Sequence, residues 1–189
     1  MTQITPIHWH EGLFMQPHHM QHMQRTLQMQ ITQERYLNKP YPYGVVKSEL
    51  AIESVDNMVV AFNSLKAVMP SGIVVEYPGN AKLASLDVKK AFRNSTKPLT
   101  VYLAVPQWQK DQANTIEEET EYIVRRLYSV EELECADENS GRNEQSLQVR
   151  KINARLLLDE HDHEGYDLLP VLTLKHGTDE SLGLPKVDN

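Results

Sequence analysis

Histidines and carboxylates are the reactive groups that this 189-residue chain concentrates. Five of its eight histidines (His8, His10, His18, His19 and His22) lie between positions 8 and 22. On a helix, His18 and His22 would share a face at the four-residue spacing that paired zinc ligands use. The Glu that follows the first His in a zinc hydrolase motif is missing, because His19 stands there. A third ligand would have to come from His8, His10 or the turn Asp159-Glu160-His161-Asp162-His163-Glu164. That turn gathers four acids and two histidines but lacks the spaced ligand order of a calcium loop. Phosphate loops, dinucleotide glycines and a Gly-x-Ser-x-Gly elbow are absent. The plain reading is neutral hydrogen-bonding groups on a helix and a charged hairpin tip, with no catalytic residue, metal or cofactor assigned. A metal-dependent enzyme using the His cluster is the alternative. A carbohydrate-binding domain would need aromatics on an exposed loop end, where Trp108 beside Pro106 is the candidate.

The histidines sit in the stretch that organises the chain. Residues 4 to 15 are apolar and aromatic with a hinge at Gly12, which suits an extended or hairpin-like leader seeking a surface. Pro17 fits a first helical turn, where its missing N–H costs nothing. From there to Asn38 neither Gly nor Pro recurs, and Met20, Met23, Leu27, Ile31 and Leu37 follow at near-helical steps. An amphipathic helix of about six turns is expected. Its apolar stripe is read as packing on the chain's own body, with a partner-covered Met-rich face as the second possibility. Trp9, Leu13, Phe14 and Met15 favour a partner, since large apolar groups in a leader are costly unless buried.

Lys39-Pro40-Tyr41-Pro42 ends the helix, and the period then becomes two. Strands are expected over 46–52, 58–68 and 73–77, turned at Asp56-Asn57 and Pro70-Ser71-Gly72 into an antiparallel meander. After a loop at Pro78-Gly79-Asn80, Ser85 is placed as the cap of a short helix from Leu86 to Phe92. The nearly continuous apolar run Leu99–Val105 reads as a strand buried on both faces. Further strands are expected over 121–130, 145–157 and 166–175, with a polar loop over 137–144. Pro170 marks an edge or a bulge. Beyond His176 the chain reads as a linker or tail. The whole is mainly β: seven or eight strands in an antiparallel β-sandwich with one long N-terminal helix and a short second one.

The single Cys135 rules out an internal disulfide and fits a reducing cytoplasm. No apolar run nears the roughly 20 residues that span a bilayer, and the start lacks a signal-peptide layout. The net charge of −7 is uneven: residues 111–138 carry −8 and the rest sums to +1. No basic stripe is available to displace counterions, so nucleic acid is disfavoured. The acidic block reads as a solvated edge and loop, or, more sharply, as a patch for a basic partner.

Trp9, Glu11, Gly12, Leu13, the Pro17-His18 step and Gln21 resemble the N-terminal signature of the TssK family, baseplate subunits of bacterial type VI secretion systems. Pro42-Tyr43-Gly44-Val45, Met69-Pro70-Ser71-Gly72 and Gly165-Tyr166-Asp167-Leu168-Leu169-Pro170-Val171 continue the resemblance in order. The family prefers Phe and Asp where Met69 and Ser71 stand. The resemblance implies a β-sandwich shoulder like that of siphophage receptor-binding proteins, followed in the family by a helical neck and a head. It also implies trimers, docking of the shoulder onto the wedge proteins TssF and TssG, and contact of the head with TssM and TssL of the membrane complex. The expected division is an arm and helix over 1–40, a shoulder over 41–176 and a linker over 177–189, in a fragment of a longer protein. Trp9, Glu11, Leu13, Phe14, Met15, His18 and Gln21 are the residues expected to meet a partner.

Overall fold

A computed structural model describes residues 5–116, 125–176 and 185–188 of the chain. The long helix α1 runs from Pro17 to Asn38, with Pro17 in its first turn as its fixed φ dictates. Then follow β1 (Gly44–Leu50), α2 (Ile52–Asp56), β2 (Val59–Val60), β3 (Phe62–Val68) and β4 (Val74–Tyr77). Next come β5 (Ala81–Leu83), β6 (Leu86–Asp87), α3 (Lys89–Asn94), β7 (Leu99–Pro106) and β8 (Thr115–Ile116). The last four strands are β9 (Tyr128–Cys135), β10 (Gln145–Leu158), β11 (Tyr166–His176) and β12 (Pro185–Asp188). Among the described residues no helix is long and apolar enough to cross a membrane.

Two main sheets close over one core, and a two-stranded pairing of β2 with β6 adds Val60 to it. The smaller has the antiparallel order β1-β3-β4, as the expected meander requires. The larger runs β12-β11-β7-β10-β9-β8, with β5 attached to β10. Leu65, Ala67, Met69 and Val75 from the small sheet meet Val101, Leu103, Val105, Leu156, Leu158, Leu169 and Leu174 from the large one in a single buried cluster. Phe92 of α3 and Val88 just before it plug the same core. The fold is thus mainly β, as expected. Its pairing is not wholly antiparallel, since β5–β10 and β8–β9 are parallel.

The apolar run Leu99–Val105 takes the central place anticipated for it, between β10 and β11. Leu103, Ala104 and Val105 are consecutive and all fully buried, which a strand achieves only when both faces are covered. Pro170 lies in β11 beside a register shift at Pro170/Leu172. Because β12 pairs only with Thr173 to His176, the half of β11 that holds Pro170 has a free outer side among the described residues. A missing N–H is tolerated there.

Several boundaries differ from the sequence expectation. Ile52, taken as the end of a strand, starts α2 and stands 72% exposed, and Asp56-Asn57 closes that short helix instead of a hairpin. The strand placed over 58–68 is cut at Ala61, after Met58 turns the chain with φ +61. The short helix expected from Leu86 is α3 and begins at Lys89, and Asp87, not Ser85, receives its first N–H (Lys89 N–H to Asp87 Oδ1, 2.8 Å). The strand expected over 121–130 appears as Tyr128–Cys135, while positions 121–124 lie outside the described residues. Pro185–Asp188, within the stretch expected to be a linker, adds a strand to β11.

Polar residues singled out in the sequence fix turns. Asp159 accepts the Thr100 N–H (3.2 Å) and the Tyr102 hydroxyl (2.9 Å), which holds the Tyr102 pKa above its ordinary value. His161 Nδ1 accepts the Leu158 N–H at 3.0 Å. Asp162 accepts the Glu164 N–H at 2.9 Å and pairs with Arg125, whose guanidinium also reaches the Glu164 carbonyl. The backbone N–H first and Arg125 second hold the Asp162 carboxyl below the usual carboxylate range.

Two outcomes are expected. Leu103→Ala, at the centre of β7, lowers unfolding free energy by about 2–5 kcal/mol in urea denaturation, because a void there cannot collapse. A carboxyl whose folded pKa is depressed stabilises above its unfolded value near 3.9 and loses that contribution as pH falls through the folded one. The wild-type advantage in melting temperature over Asp162→Asn therefore shrinks on going from pH 6 to below pH 3. An advantage that is flat over that range contradicts the role of the charge.

Candidate partner-binding surface

The leader is extended up to a tight turn. The Leu13 N–H returns to the His10 carbonyl at 3.3 Å, and Gly12 between them has φ +80. That is the third position of a turn needing a left-handed residue, so Gly is required there. The turn throws Phe14 and Met15 outward, 80% and 58% exposed, with Leu13 half-buried. Trp9, 49% exposed, leans on the His19 ring with centroids 6.4 Å apart. Glu11, His18 and Gln21 are exposed around this turn. The seven residues expected to meet a partner thus lie within the leader and the first turns of α1, and Trp9, Phe14 and Met15 among them are open to solvent.

Three of the five clustered histidines, His10, His19 and His22, bond to the local backbone. His19 Nδ1 accepts the Gln16 N–H at 3.0 Å, closing the helix start. His22 joins its Nε2 to the Thr5 carbonyl at 2.6 Å, while Arg25 donates to its Nδ1 at 3.3 Å. This ties the leader to α1. Among the described residues no three His, Cys, Asp or Glu side chains are grouped to hold a metal ion.

Most of the apolar stripe of α1 does not pack on the body, contrary to the first of the two readings of it; of its five residues only Met23 is half-buried. Met20, Leu27, Ile31 and Leu37 are 46%, 52%, 61% and 71% exposed. The face applied to the body is the polar one. Arg25 lies over the Trp108 ring at 4.2 Å, Gln24 accepts from Arg150 at 2.8 Å, and Arg35 donates to the Gly72 carbonyl at 3.1 Å. The Tyr36 hydroxyl donates to the Pro70 carbonyl. Thr32 sits so close to Gly72 that a Cβ there would lie 2.2 Å from its Cγ2. Met29, midway along this seam, comes nine positions after Met20, about two and a half turns, hence on the opposite side of the helix. Trp108 is therefore a clamp for α1.

Exposed apolar groups continue past the helix through Tyr41 (89%), Tyr43, Val45 and Val46. β1 is open on both faces, although its sequence alternates as a half-buried strand would. Two register shifts, at Val45/Lys47 and Glu49/Leu50, break that alternation. The sequence reading missed this extension. The apolar and aromatic residues Leu37, Tyr41, Tyr43, Val45 and Val46 were its available signal, hidden by the expectation that β1 buries one face.

The acidic stretch forms a projecting ribbon of β9 and the first half of β10, with Glu132 and Glu134 exposed. Glu131 meets Lys151 at 3.6 Å and Lys82 at 3.9 Å. Asp137 caps the ribbon's tip by accepting the Asn139 and Ser140 N–H groups. Positions 117–121 fall outside the described residues.

Comparison with known proteins gives a consistent answer. The structure is similar to that of a chain in the type VI secretion TssK-TssF-TssG baseplate subcomplex, with a TM-score of 0.85 at 17% identity over 98% of this chain and 60% of that one. A crystal structure of TssK matches with a TM-score of 0.83 at 21% identity, covering 98% of this chain and 41% of the other. A chain of a type VI secretion baseplate complex matches at 0.84 and 16% identity, over 99% and 58%. This chain therefore spans about half the length of these solved chains. No curated protein sequence gives a match. The family profile described as Bacterial Type VI secretion (EvfL, ImpJ, VasE) matches residues 19–186, nearly the whole sequence. The chain belongs to this bacterial type VI secretion family of ImpJ and VasE.

Proposed function

We propose that this chain is the shoulder of a TssK-type baseplate subunit, a structural component that docks onto wedge proteins of the TssF and TssG kind. The observation that carries this reading is the outward display of Trp9, Phe14, Met15, Met20, Leu27 and Ile31 from one leader and one helix. Covering a large apolar side chain is worth about 1.5–3 kcal/mol, so leaving several open forgoes more than a typical domain can spare. A partner surface over the leader and the outer face of α1 recovers it. The solved relative in complex with TssF and TssG supports wedge proteins as that partner.

In this reading residues 1–40 form the docking arm and 41–176 the body, and the final stretch leads on toward a neck. The subunit works in the cytoplasm as a trimer, contacts TssM and TssL through its head, and carries out no catalysis. His19, His22, Asp159, His161 and Asp162 are each engaged in holding a turn, the leader or the helix start, which suits a structural role.

Replacing both Trp9 and Phe14 with Ser is expected to abolish co-purification with a TssF–TssG pair while leaving the β-type circular dichroism spectrum unchanged. Undiminished co-purification would refute the docking role, and collapse of the spectrum would show that the two residues support the fold instead.

A further inference from the structure

The core is complete without α1. No α1 side chain belongs to the buried cluster or to the apolar groups packed against it, and Thr26 is the one α1 residue buried among the described residues. The seam beneath the helix is mainly polar: one guanidinium on the Trp108 ring, hydrogen bonds from Arg35, Tyr36 and Arg150, and Thr32 against Gly72, with Met29 half-buried among them. Contacts of this kind exchange readily for water and contribute little at a surface. The helix itself is long: 22 residues, without a breaker after Pro17. That length retains partial helicity unsupported, whereas shorter segments melt. At its far end the connector is exposed at Lys39, Pro40 and Tyr41 and is then pinned by the buried Pro42.

We propose that α1 is a detachable strap, hinged at Lys39–Tyr41 and latched to the body by this polar seam, which lifts as a unit while the two sheets stay folded. The latch residues are Arg25, Thr32, Arg35 and Tyr36. Lifting uncovers Trp108 and the Pro70–Gly72 turn, and it frees the apolar side of the helix to follow whatever grips it. The population of the lifted state is set by the seam and is independent of core stability, because the two share no side chain.

Hydrogen–deuterium exchange on the whole chain tests this. The α1 amides are expected to exchange about 100-fold or more faster than those of β7, with a weaker dependence on denaturant, as a sub-global opening requires. Arg25→Ala should speed α1 exchange by a further factor of about 3 or more and leave β7 unaltered, since only the latch is weakened. A common rate and denaturant slope for α1 and β7 would overturn the proposal. A spin-label pair at Gln28→Cys and Lys90→Cys, with Cys135→Ser, separates lifting from fraying in place. Two distance populations are expected, and Arg25→Ala should enrich the longer one. A single narrow distance unaffected by that substitution would equally sink the strap.

Discussion

Everything in the body leans on the double coverage of β7. β10 and β11 flank the strand, Leu103 and Val105 on one face join Leu65, Met69 and Val75 in the core, and Ala104 on the opposite face is equally buried. Each flanking strand is then recruited further. β10 runs on beyond β7 to carry β9, and β11 runs on to carry β12. The turn between β10 and β11 must bring two strands to either side of the same neighbour, and Asp159 fastens it back onto Thr100 and Tyr102 near the start of β7.

Among the described residues the sheets and α3 fill the interior without any side chain from α1. This inverts the usual logic of an amphipathic helix, whose apolar stripe faces the domain that carries it. Here the domain offers carbonyls at Pro70 and Gly72, an indole at Trp108 and a guanidinium at Arg150, and the helix answers with Arg35, Tyr36, Arg25 and Gln24. Gly72 permits the close approach of Thr32 because it has no side chain, and its φ of +87 keeps the turn in a shape that other residues adopt only under strain. The arrangement suits a part made for assembly, because the surface that is costly to leave open is the one turned away from the chain's own body.

Local chemistry was legible in the sequence where it sufficed to decide the outcome. Pro17 and the following absence of breakers located α1, and the unbroken apolar run located β7. Pro170 marked its bulge for a simple reason: a missing N–H has few places to go. What periodicity could not supply was direction. Spacing tells which residues of α1 share a face but not which face the body will accept, and that depended on residues as distant as Trp108 and Arg150. The same holds for β1, whose alternation was real but whose faces both open to solvent. Short strands such as β5 and β6 had too few residues to show any period, and β12 gains its place by pairing with β11. The candidate surface was read from the leader's aromatic content, while its extension through Tyr41 to Val46 needed the exposure of β1 to appear.

The two register slips in β1 have a bearing on solubility. Val46 is the extra residue at the first slip and Asn63 of the facing strand at the second, so only Lys47, Glu49 and Ser48 between them keep one continuous phase. A foreign strand laid along the outer side of β1 would fall out of step within a few residues unless it carried a matching kink. An edge so interrupted is a poor template for fibril growth. The chain can therefore leave an aromatic and valine-rich margin open without offering a continuous edge for a second copy to extend.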